Sequence, residues 1–184
     1  MKVEEFLERY AAHPLVNRLL DETGHGLRNS LWLKGTAGSS VAVFASAVIS
    51  RRKGTYIFIL NEKEQAAYFY NDLEYLLGDR DSSFTSKKVL FFPSSYRKSF
   101  EMDHTDSTNA LERSQVVGKL SSESATRIVV TYPEALAEKI VTRSFLSRST
   151  FRIRLKDILA MDRLIDHLDD HFFERTDFVT EPGQ

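Results

Sequence analysis

Three apolar runs, "GTYIFILN" at 54–61, "KKVLFFP" at 87–93 and "TRIVVTY" at 126–132, alternate with helix-like segments, and this alternation constrains the fold most. All three read as strands: the continuous run at 54–61 has the pattern of a strand covered on both faces, and the run at 87–93 is stopped by Pro93. The segments after them, "EKEQAAYFYNDLEYLLG" at 62–78, "STNALERSQVVGKLSSES" at 107–124 and "PEALAEKI" at 133–140, carry helical spacing, the last with proline at its first position. Strand–helix alternation predicts an α/β fold: a parallel sheet flanked by helices and joined by right-handed crossovers.

Upstream, Val3, Phe6, Leu7 and Tyr10, then Leu15, Val16, Leu19 and Leu20, recur at helical spacing. Pro14 suits the first turn of a second helix rather than the middle of one long one. "SLWLKG" at 30–35 reads as a short buried strand, and "SSVAVFASAVISRR" at 39–52 as a helix capped by Ser39 or Ser40. The segments "DRDSSFTS" at 79–86 and "YRKSFEMDHTDS" at 96–107 read as polar surface loops.

From about residue 143 the pattern changes. "STFRIRLKD" alternates like a half-exposed antiparallel strand, with Phe151, Ile153 and Leu155 on one face. "ILAMDRLIDHLDDH" is an amphipathic helix and "FFERTDFV" a further strand. The expectation is an α/β domain over 1–142 and a small α+β lobe over 143–184, cut from a longer protein because "TEPGQ" closes nothing.

Charge and composition narrow the function. With 25 basic and 26 acidic residues the formal charge is −1, without the basic excess of a dedicated nucleic-acid binder. Cysteine is absent, which removes disulfides, thiolate metal sites and thiol catalysis. No apolar run approaches the ~18 residues of a membrane span, so a soluble, most simply cytosolic, protein is expected.

The segment "LKGTAGSSVAV" at 33–43 sits where a phosphate-cradling loop belongs. In the pattern G-x-x-x-x-G-K-[ST], backbone amides wrap the phosphates, lysine contacts them and the hydroxyl holds Mg²⁺. Laid on Gly35, the pattern puts Ser40 at the second glycine, Val41 at the lysine and Ala42 at the hydroxyl, with Gly38 between. Lys34 precedes the loop and would have to reach back over it. No apolar strand run is followed directly by an aspartate for the metal, and Glu62 fits better in the first turn of a helix. A tight strand-to-helix turn explains the glycines in part. A degenerate nucleotide site explains their spacing and the fold type together.

Other chemistry is thinner. His167 and His171 are four apart on a helix, but Leu168 stands where a zinc protease has glutamate, so the pair reads as a polar helix face. There is no G-x-S-x-G elbow. Tyr68, Phe69, Tyr70 and Tyr75 are spaced for core packing and surface cover rather than base stacking.

"GTAGSSVAV", "VLFFPS", "DSTNALERSQVVGKL", "RIVVTYPEAL" and "FFERTDFVTEPGQ" occur in an order that resembles the amino-terminal region of the bacterial transcription-repair coupling factors (the Mfd family). That region is similar in turn to the excision-repair helicase subunit UvrB over nearly the whole chain. The most specific element is F-x-R-x-D-x-V-x-E-P-G-Q, from Phe173 to Gln184. The resemblance implies a degenerate, helicase-like α/β domain of UvrB domain 1a type and a small lobe of UvrB domain 2 type. It implies a module without ATPase activity and without a cofactor of its own, in line with Val41. ATP and Mg²⁺ would serve the parent protein elsewhere, as would RNA polymerase and double-stranded DNA, in a translocase that displaces stalled polymerase.

The partner implied for this chain is the damage-recognition subunit UvrA. Arg175 stands at the family position of an arginine that contacts UvrA, and a planar guanidinium can pair bidentately with a carboxylate. Without the resemblance it reads as a surface arginine paired with Glu174 or Asp177. Phe173 is the candidate aromatic anchor. Arg152 and Arg154, alternating with Phe151 and Ile153, fall on the exposed face of one strand and are candidates for the same surface, where such alternation more commonly marks a solvated face. UvrB's DNA-clamping hairpin has no counterpart in the short interval from Ser94 to Ser107. The competing reading is an active nucleotide-binding helicase or ATPase fragment with a non-standard loop.

Overall fold

The computed structural model of the chain describes residues 3–24, 30–83, 86–95, 107–120, 126–151, 153–171, 173 and 175–178. Contacts divide it into two units, Met1–Pro93 with Ser122–Ala137, and Ser94–Ser121 with Glu138–Gln184.

The first unit is built on three parallel strands, β1 (Thr55–Ile59), β2 (Val89–Phe91) and β3 (Arg127–Thr131), in the order β1-β3-β2. The α/β class expected from the alternation is therefore the class observed. β3 is central, and its Ile128, Val129, Val130 and Thr131 are all buried. The buried Thr131 hydroxyl donates to the Phe92 carbonyl at 2.9 Å, so its burial leaves no unmet polar group.

Among the described residues, five helices belong to this unit: α1 (Val3–Ala11), α2 (Pro14–Gly24), α3 (Ser40–Arg51), α4 (Lys63–Leu76) and α6 (Pro133–Ala137). Pro14 opens α2, where its missing N–H costs nothing. α3 turns small residues inward, Ala42, Ser46 and Ala47, so that α1 and α4 pack close to it. At its end Arg51 donates to the Ala11 carbonyl at 2.9 Å and to the Asn17 side chain, placing a cation at the C-terminus of α1. α4 lays Phe69 against Phe58 of β1 and Tyr70 against Phe91 of β2, with ring centroids 5.0 and 5.5 Å apart. It ends at Gly78, whose φ of +64° is the left-handed turn that glycine adopts most easily.

Three sequence expectations are corrected here. β1 is not covered on both faces. It is the outer strand of the sheet, its Tyr56/Phe58 face is half-buried, and Ile57 and Ile59 on the other face are 62% and 57% exposed. Residues 30–35 are not a buried strand: among the described residues they pair with no strand, and Leu31, Trp32 and Leu33 are exposed. Asp79 does not belong to a solvated loop. It is buried and accepts from the amides of Lys88 and Val89 at 2.7 and 2.8 Å, capping the start of β2.

The second unit contains α5 (Ser107–Leu120), α7 (Arg143–Arg148) and α8 (Met161–Asp170). Thr142 caps α7 by accepting from the Phe145 amide at 3.3 Å. Glu138 gathers a polar cluster: it accepts from both hydroxyls of Ser94 and Ser95, from the Ser95 amide, and pairs with Arg113 at 3.4 Å. Burial alone would raise the Glu138 carboxyl; those donors outweigh it and hold it below its ordinary range.

The α+β character expected of the terminal lobe is not seen among the described residues, which at 149–157 and 173–178 form turns and irregular backbone in place of strands. The alternation at 149–157 is broken because the Asp157 carboxylate accepts from the Arg154 amide at 2.8 Å while its own amide donates to the Arg154 carbonyl. That closes a turn with Lys156 at φ +79°. Near the end, Thr176 donates to the Phe178 carbonyl at 2.9 Å, again a local turn. The loop at 96–107, apart from Ser107 at the start of α5, and the ending at 179–184 lie outside the described residues.

Candidate functional site

The glycine loop before α3 has the backbone of a tight turn. Gly35 and Gly38 lie at φ +78° and +52°, a region that strains residues with a Cβ, and nothing else stands within 4 Å of where a Cβ would be. Their identity is thus set by backbone conformation. Ser40 locks the turn, its hydroxyl accepting from the Ala37 amide at 2.9 Å and its amide donating to the Ala37 carbonyl at 3.2 Å. Ser39 holds the cap position without a side-chain cap bond.

Neither of the two positions that would carry phosphate and metal chemistry supplies a polar group. Ala42 is fully buried. Val41 lines an apolar cavity of about 170 Å³ with Leu19, Leu33, Phe44, Tyr56 and Phe58, between α2, α3 and β1. Val41 is itself 36% exposed, so what this position lacks is a cation and not access to solvent. Lys34 is engaged elsewhere, its ammonium 4.2 Å from the centroid of the Trp32 ring. Glu62 sits at the N-cap of α4 and accepts from the Gln65 side chain at 2.9 Å. Among the described residues no group of three or more His, Asp or Glu is placed to hold a metal. The His167 and His171 rings are 4.4 Å apart, with His171 Nδ1 on the His167 carbonyl at 2.8 Å.

A second cavity, about 240 Å³, adjoins the first through Leu19 and Leu33 and is bounded by Leu15, Arg18, Glu22 and Trp32. The exposed run 31–33 therefore lies over α2 instead of extending the sheet.

Of the candidate docking residues, Phe173, Arg154 and Arg175 are exposed, and Arg152 lies outside the described residues. The Phe173 amide donates to the Leu168 carbonyl at 3.1 Å, so the ring is held at the end of α8 with Arg175 two residues on. Among the described residues Arg175 makes no ion pair, Asp177 included.

Sequence reasoning missed two polar clusters, around Glu138 and around Glu74. The buried Glu74 accepts from the Tyr70 hydroxyl at 2.6 Å and pairs with Lys87. Burial, then the bond to Glu74, pushes the Tyr70 phenol up to about 12. Burial opposes the charge on Lys87, but Glu74 and Tyr70 outweigh it and raise its value. The available signal was a glutamate four residues after a tyrosine on the buried side of α4.

Comparison of the chain with protein-family models, with curated proteins and with solved structures yields no match in any of the three.

Proposed function

We propose that this chain is a non-catalytic interaction module, the UvrB-like amino-terminal region of a transcription-repair coupling factor, and that it recruits UvrA. The observation that carries the reading is the loop at 35–42. It has the glycines and the helix of a nucleotide site, while its lysine and hydroxyl positions hold Val41 in an apolar cavity and the buried Ala42. A triphosphate needs a cation at that point, and a valine supplies none. The parallel α/β sheet and the ordered motifs from "GTAGSSVAV" to "FFERTDFVTEPGQ" support the same assignment. The exposed Phe173 and Arg175 suit a docking role, with an aromatic anchor beside a guanidinium that a carboxylate of UvrA could engage. ATP, Mg²⁺, RNA polymerase and DNA belong, in this reading, to other parts of the parent protein.

Calorimetric titration of the chain with UvrA tests the proposal. Saturable binding is expected, weakened by Arg175→Ala by about 2–5 kcal/mol if the contact is a desolvated charge pair. Absence of UvrA binding together with micromolar binding of ATP and Mg²⁺ would favour the helicase reading instead.

A further inference from the structure

Two adjoining cavities, one between α2, α3 and β1 and one between α2 and residues 30–33, enter the reading above only through Val41 as the missing lysine; the docking role proposed there rests on the other end of the chain. The first, near 170 Å³, is comparable with an engineered apolar cavity of about 150 Å³ that takes benzene, so it is large enough for one aromatic or leucine side chain. The second continues it past Leu19 and Leu33 under Trp32, which is 83% exposed and is the chain's single tryptophan. Tryptophan is among the residues enriched at the energetic centres of protein interfaces, and here it is exposed beside an apolar recess.

The charge around this cleft has one sign in excess. Arg18 lines it, Lys34 lies on the Trp32 ring, and Arg52 donates to Thr23 of α2 at 3.1 Å while its carbonyl accepts from the cavity-lining Tyr56. Against these stands Glu22, which Arg18 already pairs at 2.7 Å. An apolar floor with a basic rim complements a segment that is apolar at one helical face and acidic on the other.

We infer that the cleft of α2, α3 and β1 is a second protein-docking site, which takes an acidic amphipathic helix of a partner through an apolar anchor seated beside Val41. Phosphate has no part in it, because the position facing the cavity is hydrocarbon. The inference stands whether or not UvrA is the partner at Arg175, since the two sites share no residue.

Trp32 reports on it directly. The whole chain is titrated with a tryptophan-free peptide bearing phenylalanine and leucine at i, i+4 spacing and glutamate elsewhere, and the emission is followed. A saturable blue shift is expected, lost with a peptide carrying lysine for each glutamate and lost with one carrying alanine for each apolar residue. Ala45→Phe, which fills the first cavity, and Arg18→Glu, which reverses an exposed rim charge and gives up its pair with Glu22, should each weaken binding. For Ala45→Phe the loss should be about tenfold or more, the equivalent of one buried side chain. The idea fails if the acidic peptide produces no saturable shift, if the lysine peptide binds as well, or if neither variant changes the affinity.

Discussion

In β3 every side chain from Ile128 to Thr131 is buried, whereas Leu155, less than thirty residues later in the chain, is 94% exposed and α8 buries none of its residues. Both stretches are rich in apolar side chains. The first is flanked by a strand on each side in the sheet and by α4; among the described residues the second forms no strand and α8 buries none of its side chains. Apolar content alone therefore does not make a core. What decides is whether neighbouring elements can remove it from water, and a segment in which they do not is a surface another protein can cover.

The largest effect that separates the two regions is a pair of truncations. Leu73→Ala, inside α4 at a fully buried position, should cost about 3 kcal/mol in a urea melt. Ile158→Ala, at a fully exposed one, should stay within about 0.5 kcal/mol. A loss at Ile158 as large as that at Leu73 would mean that the terminal segment has a core of its own.

Titration divides the molecule in the same way. In the first unit the Tyr70 and Lys87 values lie above the ordinary ones, so folding retains their protons. The stability Tyr70 lends is complete below about pH 10 and is lost as pH rises through about 12, and that of Lys87 is lost at higher pH still. In the second unit Glu138 lies below its ordinary value, and its contribution is present above about pH 4.5 and is lost as pH falls through the lowered one. Urea midpoints across pH should therefore show an alkaline fall that Tyr70→Phe flattens and an acid fall that Glu138→Gln flattens. Equal slopes in wild type and variants would contradict the two assignments.

Smaller still is Gly38→Ala. With nothing near the new methyl, only the positive φ opposes it, at about 1 kcal/mol, read from a thermal or urea melt. A neutral result would mean that the loop relaxes freely.

Much of the first unit was legible in the residues themselves. The three parallel strands, the break at Pro14 and the stop at Gly78 follow from local chemistry, namely continuous apolar runs, a fixed φ and a glycine turn. The misreadings share a cause. "SLWLKG" has the composition of a strand, but a strand needs a neighbour, and residues 31–33 lie over α2 instead. Phe151, Ile153 and Leu155 alternate correctly, yet one carboxylate three residues after Arg154 closes a turn through its amide. Asp79 looked solvated because its two amide donors lie nine and ten residues away. At the candidate site, the loss of the lysine was readable from Val41 alone. The cavity it lines was not, because Leu19, Tyr56 and Phe58 come from three separate stretches of chain.

Hydrogen exchange, followed by mass spectrometry with and without UvrA, bears most directly on the account of a packed scaffold that presents an uncovered segment. The expected result is slow exchange in β2 and β3 throughout, fast exchange over residues 153–171 in the free chain, and protection around 173–178 once UvrA is added. Residues 153–171 already as protected as β3 in the free chain, or no change near Arg175 at saturating UvrA, would contradict it.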